Sequence, residues 1–209
     1  KTYENLEYEI INNEINIIKY LGSDPELIIP NEIEGLPVTY IADSAFSNCT
    51  SLTKINIPSS VSKISLNIFL LCNSLEEINV DENNNYYCDI NGVLFNKEQT
   101  ILIKYPSGKK DTFYEIPKSV TKIGAWAFTK SDNLESISIP EGVTQIDGAA
   151  FVGCSKLLDF NIPDSLIKVG FAAFNSQWYK DQPDGPLYIG DIFYKYKGPL
   201  PENAELVLK

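Results

Sequence analysis

Apolar residues return along this chain at a fixed step of 23, and no other feature constrains its fold as tightly. Leu52 recurs as Leu75, and Leu134 as Leu157. Ile116-Pro117, Ile139-Pro140 and Ile162-Pro163 keep the same step, as do Phe128, Phe151 and Phe174, and Phe46 with Phe69. Residues 134–156, LESISIPEGVTQIDGAAFVGCSK, spell out one unit: L-x-x-I-x-I-P-x-x-V-x-x-I-x-x-x-A-F-x-x-C. Leu134, Ile137 and Ile139 combine β-branched alternation with a proline stop, which predicts a short strand ending at Pro140. Val143 and Ile146 predict a second extended piece, and Ala150, Phe151 and Cys154 a single helical turn that points Phe and Cys inward. No such unit closes a core alone. Stacked units do, at about 4.8 Å per parallel strand.

The period breaks once. Leu75 and Leu134 lie 59 residues apart, one 23-residue unit plus 36 more. Inside the gap, Val93-Leu94-Phe95 and Ile101-Leu102-Ile103 follow the tight-turn pair Asn91-Gly92 and predict a β-hairpin. A Lys-Tyr phrase marks it, at Lys104-Tyr105, and recurs at Lys19-Tyr20 and Lys195-Tyr196. Three hairpins are therefore expected, near 15–20, 93–105 and 188–196. The expected division is an N-terminal hairpin cap at 1–26, repeat blocks at 27–81 and 116–178 around an insertion at 82–115, and a C-terminal hairpin with the start of a further repeat at 179–209.

The unit closely resembles the BspA-type leucine-rich repeat family of bacterial surface proteins, through its L-x-x-I-x-I-P, V-x-x-I and A-F-x-x-C phrases over most of residues 27–178. Insertions such as Asp89 to Phe95 followed by Ile103-Lys104-Tyr105-Pro106 are also familiar in that family. The resemblance implies a mainly β repeat solenoid: a right-handed leucine-rich-repeat coil of short parallel strands, single helical turns and inserted hairpins. It further implies an exported, extracellular or cell-surface protein, with adhesion among the functions of its members. No catalytic residue carries over. Ser131 and Gln177 stand where the repeat would have Cys, which weakens a cysteine ladder but not the fold.

At 209 residues and 44% hydrophobic content the chain can bury a real core. Its net charge of -11 opposes phosphate backbones and anionic lipid surfaces, so nucleic acid and membrane are not expected partners. No apolar run approaches the roughly 18 residues that cross a bilayer, and no signal-peptide pattern opens the sequence. A trimmed or mature, monomeric segment of a longer chain is expected. With no histidine, the usual general base and every Ser-His or Cys-His pair are missing. No cofactor and no metal are expected, and an enzyme is not.

Cys49, Cys72 and Cys154 share one repeat position, three residues after Phe, as a ladder of small buried residues would. A Cys49–Cys72 disulfide between coils is within reach in distance, although parallel side chains argue against it. Outward strand positions form the candidate contact surface, because a solenoid presents equivalent side chains in rows. One row is Asn56, Asn79, Ser138 and Asn161; beside it lie Lys54, Glu77, Ser136 and Asp159. These are either solvated strand residues or a polar face that binds a protein or a glycan. Glu76, Glu77 and Asp159 could supply paired carboxylates for glycoside chemistry, but an acidic face offers such pairs by chance. Lys63, Lys122 and Lys168 make a second row that reads as a solvated edge. Trp126, Phe171, Trp178 and Tyr179 are candidate contact aromatics, or a cover for the end of the stack. Asp81 to Asn85 reads as a polar lead-in to the hairpin, without the frame of a calcium loop.

Overall fold

The computed structural model describes residues 1–189 and 192–199. The chain is a mainly β solenoid in which equivalent segments of successive coils stack. The L-x-x-I-x-I segments form two parallel three-stranded sheets. One joins Glu26–Ile28, Lys54–Ile57 and Glu77–Val80, and the other Phe113–Glu115, Ser136–Ser138 and Asp159–Asn161. The V-x-x-I segments stack along a second face, and a hairpin leg opens each run. Glu14–Tyr20 pairs in parallel with Leu36–Ile41, which pairs with Lys63–Ile64. Ile101–Lys104 does the same for Lys122–Ile123, Gln145–Ile146 and Lys168–Val169.

All three predicted hairpins are antiparallel pairs: Leu6–Ile11 with Glu14–Tyr20, Val93–Asn96 with Ile101–Lys104, and Gly185–Ile189 with Ile192–Lys197. The middle one has a further strand, Tyr87–Ile90, joined through Asn91-Gly92. The possible further repeat at Leu206-Val207-Leu208 lies outside the described residues.

Among the described residues the interior holds two apolar cores, and the middle hairpin is the wall between them. Strand alternation sends Leu94 into the first core, with Phe46, Phe69 and Ile78, and sends Val93 and Phe95 into the second, with Phe128 and Phe151. Each core carries a ladder of rings headed by the tyrosine of the Lys-Tyr phrase. Tyr20 meets Phe46 at 6.3 Å and Phe46 stacks on Phe69 at 5.6 Å. Tyr105 stacks on Phe128 at 5.2 Å, then Phe151 follows at 5.0 Å and Phe174 at 5.9 Å. The tyrosine occupies the place of a repeat phenylalanine, and its N–H docks on the next coil: Tyr20 N–H on Ala45 O and Tyr105 N–H on Ala127 O, both 2.8 Å.

The expected helical turn around Ala-Phe is instead a pair of tight turns. Bonds such as Ser47 N–H to Ser44 O and Cys49 N–H to Phe46 O close three-residue steps. The segment also carries left-handed residues at two repeat positions. Ser44, Asn67, Trp126, Ala149 and Ala172 occupy the first, and Asn48, Leu71, Lys130 and Gly153 the second. These turns aim N–H groups along the solenoid axis. Phe46 N–H reaches Ile68 O, Asn48 reaches Leu70 O, Phe128 reaches Ala150 O and Lys130 reaches Val152 O. A helical turn would direct its N–H groups back into its own coil. The coil-to-coil bonds outweigh the roughly 1 to 2 kcal/mol that a left-handed residue costs.

Cys49, Cys72, Cys88 and Cys154 are all free thiols. Cys72 and Cys154 are fully buried, and each donates its S–H to the phenylalanine carbonyl of the preceding coil, Phe46 O and Phe128 O, at 2.8 Å. The neighbouring Cys49 thiol and burial push Cys72 upward, and burial pushes Cys154 up to about 12, so both stay protonated. Ser131 holds the same position one coil before Cys154, and its buried hydroxyl has no partner among the described residues.

Candidate functional site

The outward strand positions do not form one continuous row. Asn56, Glu77 and Asn79 lie on the first sheet, and Ser138, Asp159 and Asn161 on the second. Between the sheets the hairpin replaces the missing neighbour of Glu77–Val80. Ile78 N–H donates to Gly92 O at 3.0 Å, Val80 N–H to Asp89 Oδ1 at 2.9 Å, and Gly108 N–H to Leu75 O at 2.7 Å. Glycine is required at two of these contacts. A Cβ on Gly108 would sit 2.5 Å from the Ser74 carbonyl carbon; Gly92 has φ +77 and would press Glu77 Cα at 3.2 Å. A proline-terminated strand in a 23-residue unit says nothing about what lies beside it, so only the packed insertion reveals the break.

On the first sheet, Asn79 donates to Asn56 Oδ1 at 3.3 Å, and Lys54 bridges to Glu77 at 2.9 Å. The hydrogen bond from Lys54 holds the Glu77 carboxyl below its ordinary value. Glu76 pairs with Lys110 at 2.9 Å. Both acids thus meet a lysine, and Asp159 stands on the other sheet, so these three do not converge as a catalytic pair would. At the C-terminal end of the strands Ile28, Asn31, Asn56, Pro58, Asn79 and Asp81 line an open groove of about 270 Å³. Ile28 is 74% exposed and heads the Asn56–Asn79 row by register.

The second sheet aligns Glu115, Ser138 and Asn161, and beside them Phe113, Ser136 and Asp159, the last described by its backbone only. Phe113 and Leu158 are exposed there. This half is therefore more apolar than the sequence rows suggest. The lysine row divides in the same way: Lys63 lies over the Tyr40 ring, while Lys122, Gln145 and Lys168 are in register and Lys122 bridges to Asp147 at 2.8 Å.

The aromatics fall into separate roles. Phe171 is 93% exposed. Trp178 covers the end of the second ladder from the helix Ser176–Asp181, 4.7 Å from Phe174 and 6.3 Å from Tyr194. Trp126 is half-buried, at φ +60, beside a cleft between coils.

Two asparagines are buried: Asn84, which the sequence offered only as part of the polar lead-in Asp81 to Asn85, and Asn175, which it did not single out. Asn84 donates to Pro58 O and Val61 O at 2.8 and 2.9 Å and accepts from Tyr86 N–H and Tyr87 N–H at 2.8 and 2.9 Å. Asn175 donates to Cys154 O and Leu157 O at 2.8 and 2.7 Å and accepts from Trp178 N–H at 2.6 Å. Each plugs a turn of the preceding coil where the coils give way to another element. One signal was available: Asn84 lies 23 residues after Val61, in a slot the repeat reserves for an apolar side chain.

Among the described residues no group of three His, Cys, Asp or Glu is placed to hold a metal ion, and no helix is long and apolar enough to cross a membrane.

A family model described as BspA type leucine rich repeat region matches the chain in 6 copies, over residues 25–111 and 107–181. No curated protein matches. Among solved structures, a leucine-rich repeat protein from Eubacterium ventriosum is similar at 32% identity and TM-score 0.60, over 64% of this chain and 42% of its own. A leucine rich cell surface protein from Faecalibacterium prausnitzii shares the fold at 18% identity and TM-score 0.53, over 83% of this chain and 79% of its own. The pneumococcal vaccine antigen PcpA shares it at 19% identity and TM-score 0.52, over 84% and 78%. The chain spans less than half of the Eubacterium ventriosum protein.

Proposed function

The chain belongs to the BspA-type leucine-rich repeat family, and from that membership we propose that it is a non-catalytic recognition or adhesion module of an exported bacterial protein, binding a protein or a glycan through its strand face. The observation that carries this reading is the groove on the first sheet, where the paired amides of Asn56 and Asn79 stand beside exposed Ile28. Amides offer donors and acceptors without the desolvation cost of a charge, and an adjacent apolar side chain rewards close contact. The net charge of -11 keeps polyanions away from the same face. A cell-surface setting agrees with the Faecalibacterium prausnitzii protein that shares the fold.

An array of glycans and extracellular-matrix proteins probed with the chain tests the proposal. Asn79→Arg is expected to abolish a hit while moving Tm by less than about 4 °C. Silence across both arrays refutes it in favour of a second reading, a spacer in a longer surface protein. That alternative is supported by the stacking of equivalent coils, which builds a rod without any ligand.

A further inference from the structure

The place where the repeat is interrupted leaves a gap in the turn face of the solenoid. Coil 66–71 has no coil stacked on its far side at the level of the tight turns. The hairpin leg carrying Ile103 and Lys104 passes beneath, and the next turn wall is Ala125 to Thr129. The result is a narrow, solvent-open cleft of about 40 Å³ with Leu66, Phe69 and Leu71 on one wall, Trp126 and Thr129 on the other, and Leu94 beneath.

Its polar groups share one need. In the preceding coil, Phe46 N–H and Asn48 N–H donate to Ile68 O and Leu70 O, two residues apart. Phe69 and Leu71 are the equivalent residues one coil on, and among the described residues no acceptor meets their N–H groups. Thr129, 6% exposed, has a buried hydroxyl without a partner among the described residues. Lys104 Nζ is held by two carbonyls, Trp126 O at 3.2 Å and Thr129 O at 3.5 Å, and no described carboxylate pairs with it. Burial lowers that ammonium to about 8, so at pH 7 it is still mostly a cation. A half-buried cation without a counter-ion among the described residues, in a chain carrying eleven net negative charges, is an unfilled half of an ion pair.

We propose that this cleft binds the C-terminus of a peptide whose last side chains are apolar, with the backbone oxygens on Phe69 N–H and Leu71 N–H and the terminal carboxylate toward Lys104. The spacing of the donors is that of one coil receiving the next, so the complementary shape is a length of peptide backbone. A C-terminus carries its carboxylate directly on the backbone, within a few residues of the carbonyl oxygens, whereas an acidic side chain holds its charge away from the backbone. The apolar lining, Leu66 at 62% exposure included, accounts for the side chains.

The test is an array of pentapeptides with free C-termini, varied over the last two positions, followed by fluorescence anisotropy on the hits and their C-terminal amides. Apolar C-termini are expected to bind, with amidation or Lys104→Met weakening binding at least roughly tenfold, since hydrogen bonds to a charged group are lost. Leu66→Glu, at an exposed rim position, serves as a second variant and is expected to repel the carboxylate with the fold intact. Equal binding of acid and amide, or silence across the array, overturns the proposal. So does decanoate binding as tightly as the peptides, since a bare fatty acid has no use for the backbone donors.

Discussion

Replacing Asn84 tests how the repeat block is closed. Four hydrogen bonds end on this one side chain, which has no exposed surface. Asn84→Ala strands two carbonyls and two N–H groups. A stranded buried group costs about 1 to 3 kcal/mol, and water entering the space restores some of the bonds, which leaves an expected loss of about 3 to 5 kcal/mol. Asn84→Asp separates hydrogen bonding from shape. It keeps the two accepted bonds but turns a carboxylate oxygen toward Pro58 O and Val61 O, so its folded pKa must rise above the unfolded value of about 3.9. A raised carboxyl is tolerated protonated. Stability of this variant is therefore highest below about pH 4 and falls as pH climbs through the folded pKa. At pH 7 Asn84→Asp is expected to be less stable than Asn84→Ala, and to recover toward pH 4. Urea unfolding followed by circular dichroism at both pH values reads the difference. A loss under about 1 kcal/mol for Asn84→Asp at pH 7, or one indifferent to pH, refutes the assignment of Asn84 as a fully bonded plug.

Lys104→Met removes a half-buried cation whose folded pKa lies below its unfolded one, a penalty present up to pH 8 and relieved as pH rises toward 10.5. The variant is expected to be more stable than the parent by about 1 kcal/mol at pH 7, after discounting two lost carbonyl bonds and partial exposure, with the gap closing between pH 8 and 10.5 in chemical melts. Gly153→Ala places a side chain at φ +78 and against the Lys130 stem, 2.8 Å from its Cδ. Thermal unfolding is expected to show a loss of about 1 kcal/mol, and no loss means the left-handed turn is not required.

The sequence by itself determined the coil. A step of 23 puts Leu52, Ile55 and Ile57 into the same environment as Leu75, Ile78 and Val80, because each residue of a stacked unit sees mainly the copies before and after it. The hairpins were legible for a similar reason, since Asn91-Gly92 and the flanking apolar runs are local signals. Trp178 was legible as an aromatic but not as the cover of a ring ladder, because the rings beneath it come from distant coils. Only the tertiary structure decided how the two blocks meet: Leu94 and Phe95 facing different cores, the split of Asn79 from Ser138, and the unmet N–H groups of Phe69 and Leu71. Those depend on the packing of a 36-residue insertion against coils on both sides, a non-local relation that no period within one unit encodes. The left-handed residues of the tight turns belong with them. Trp126 and Leu71 have no local preference for that conformation, and the bonds of the coils around them impose it.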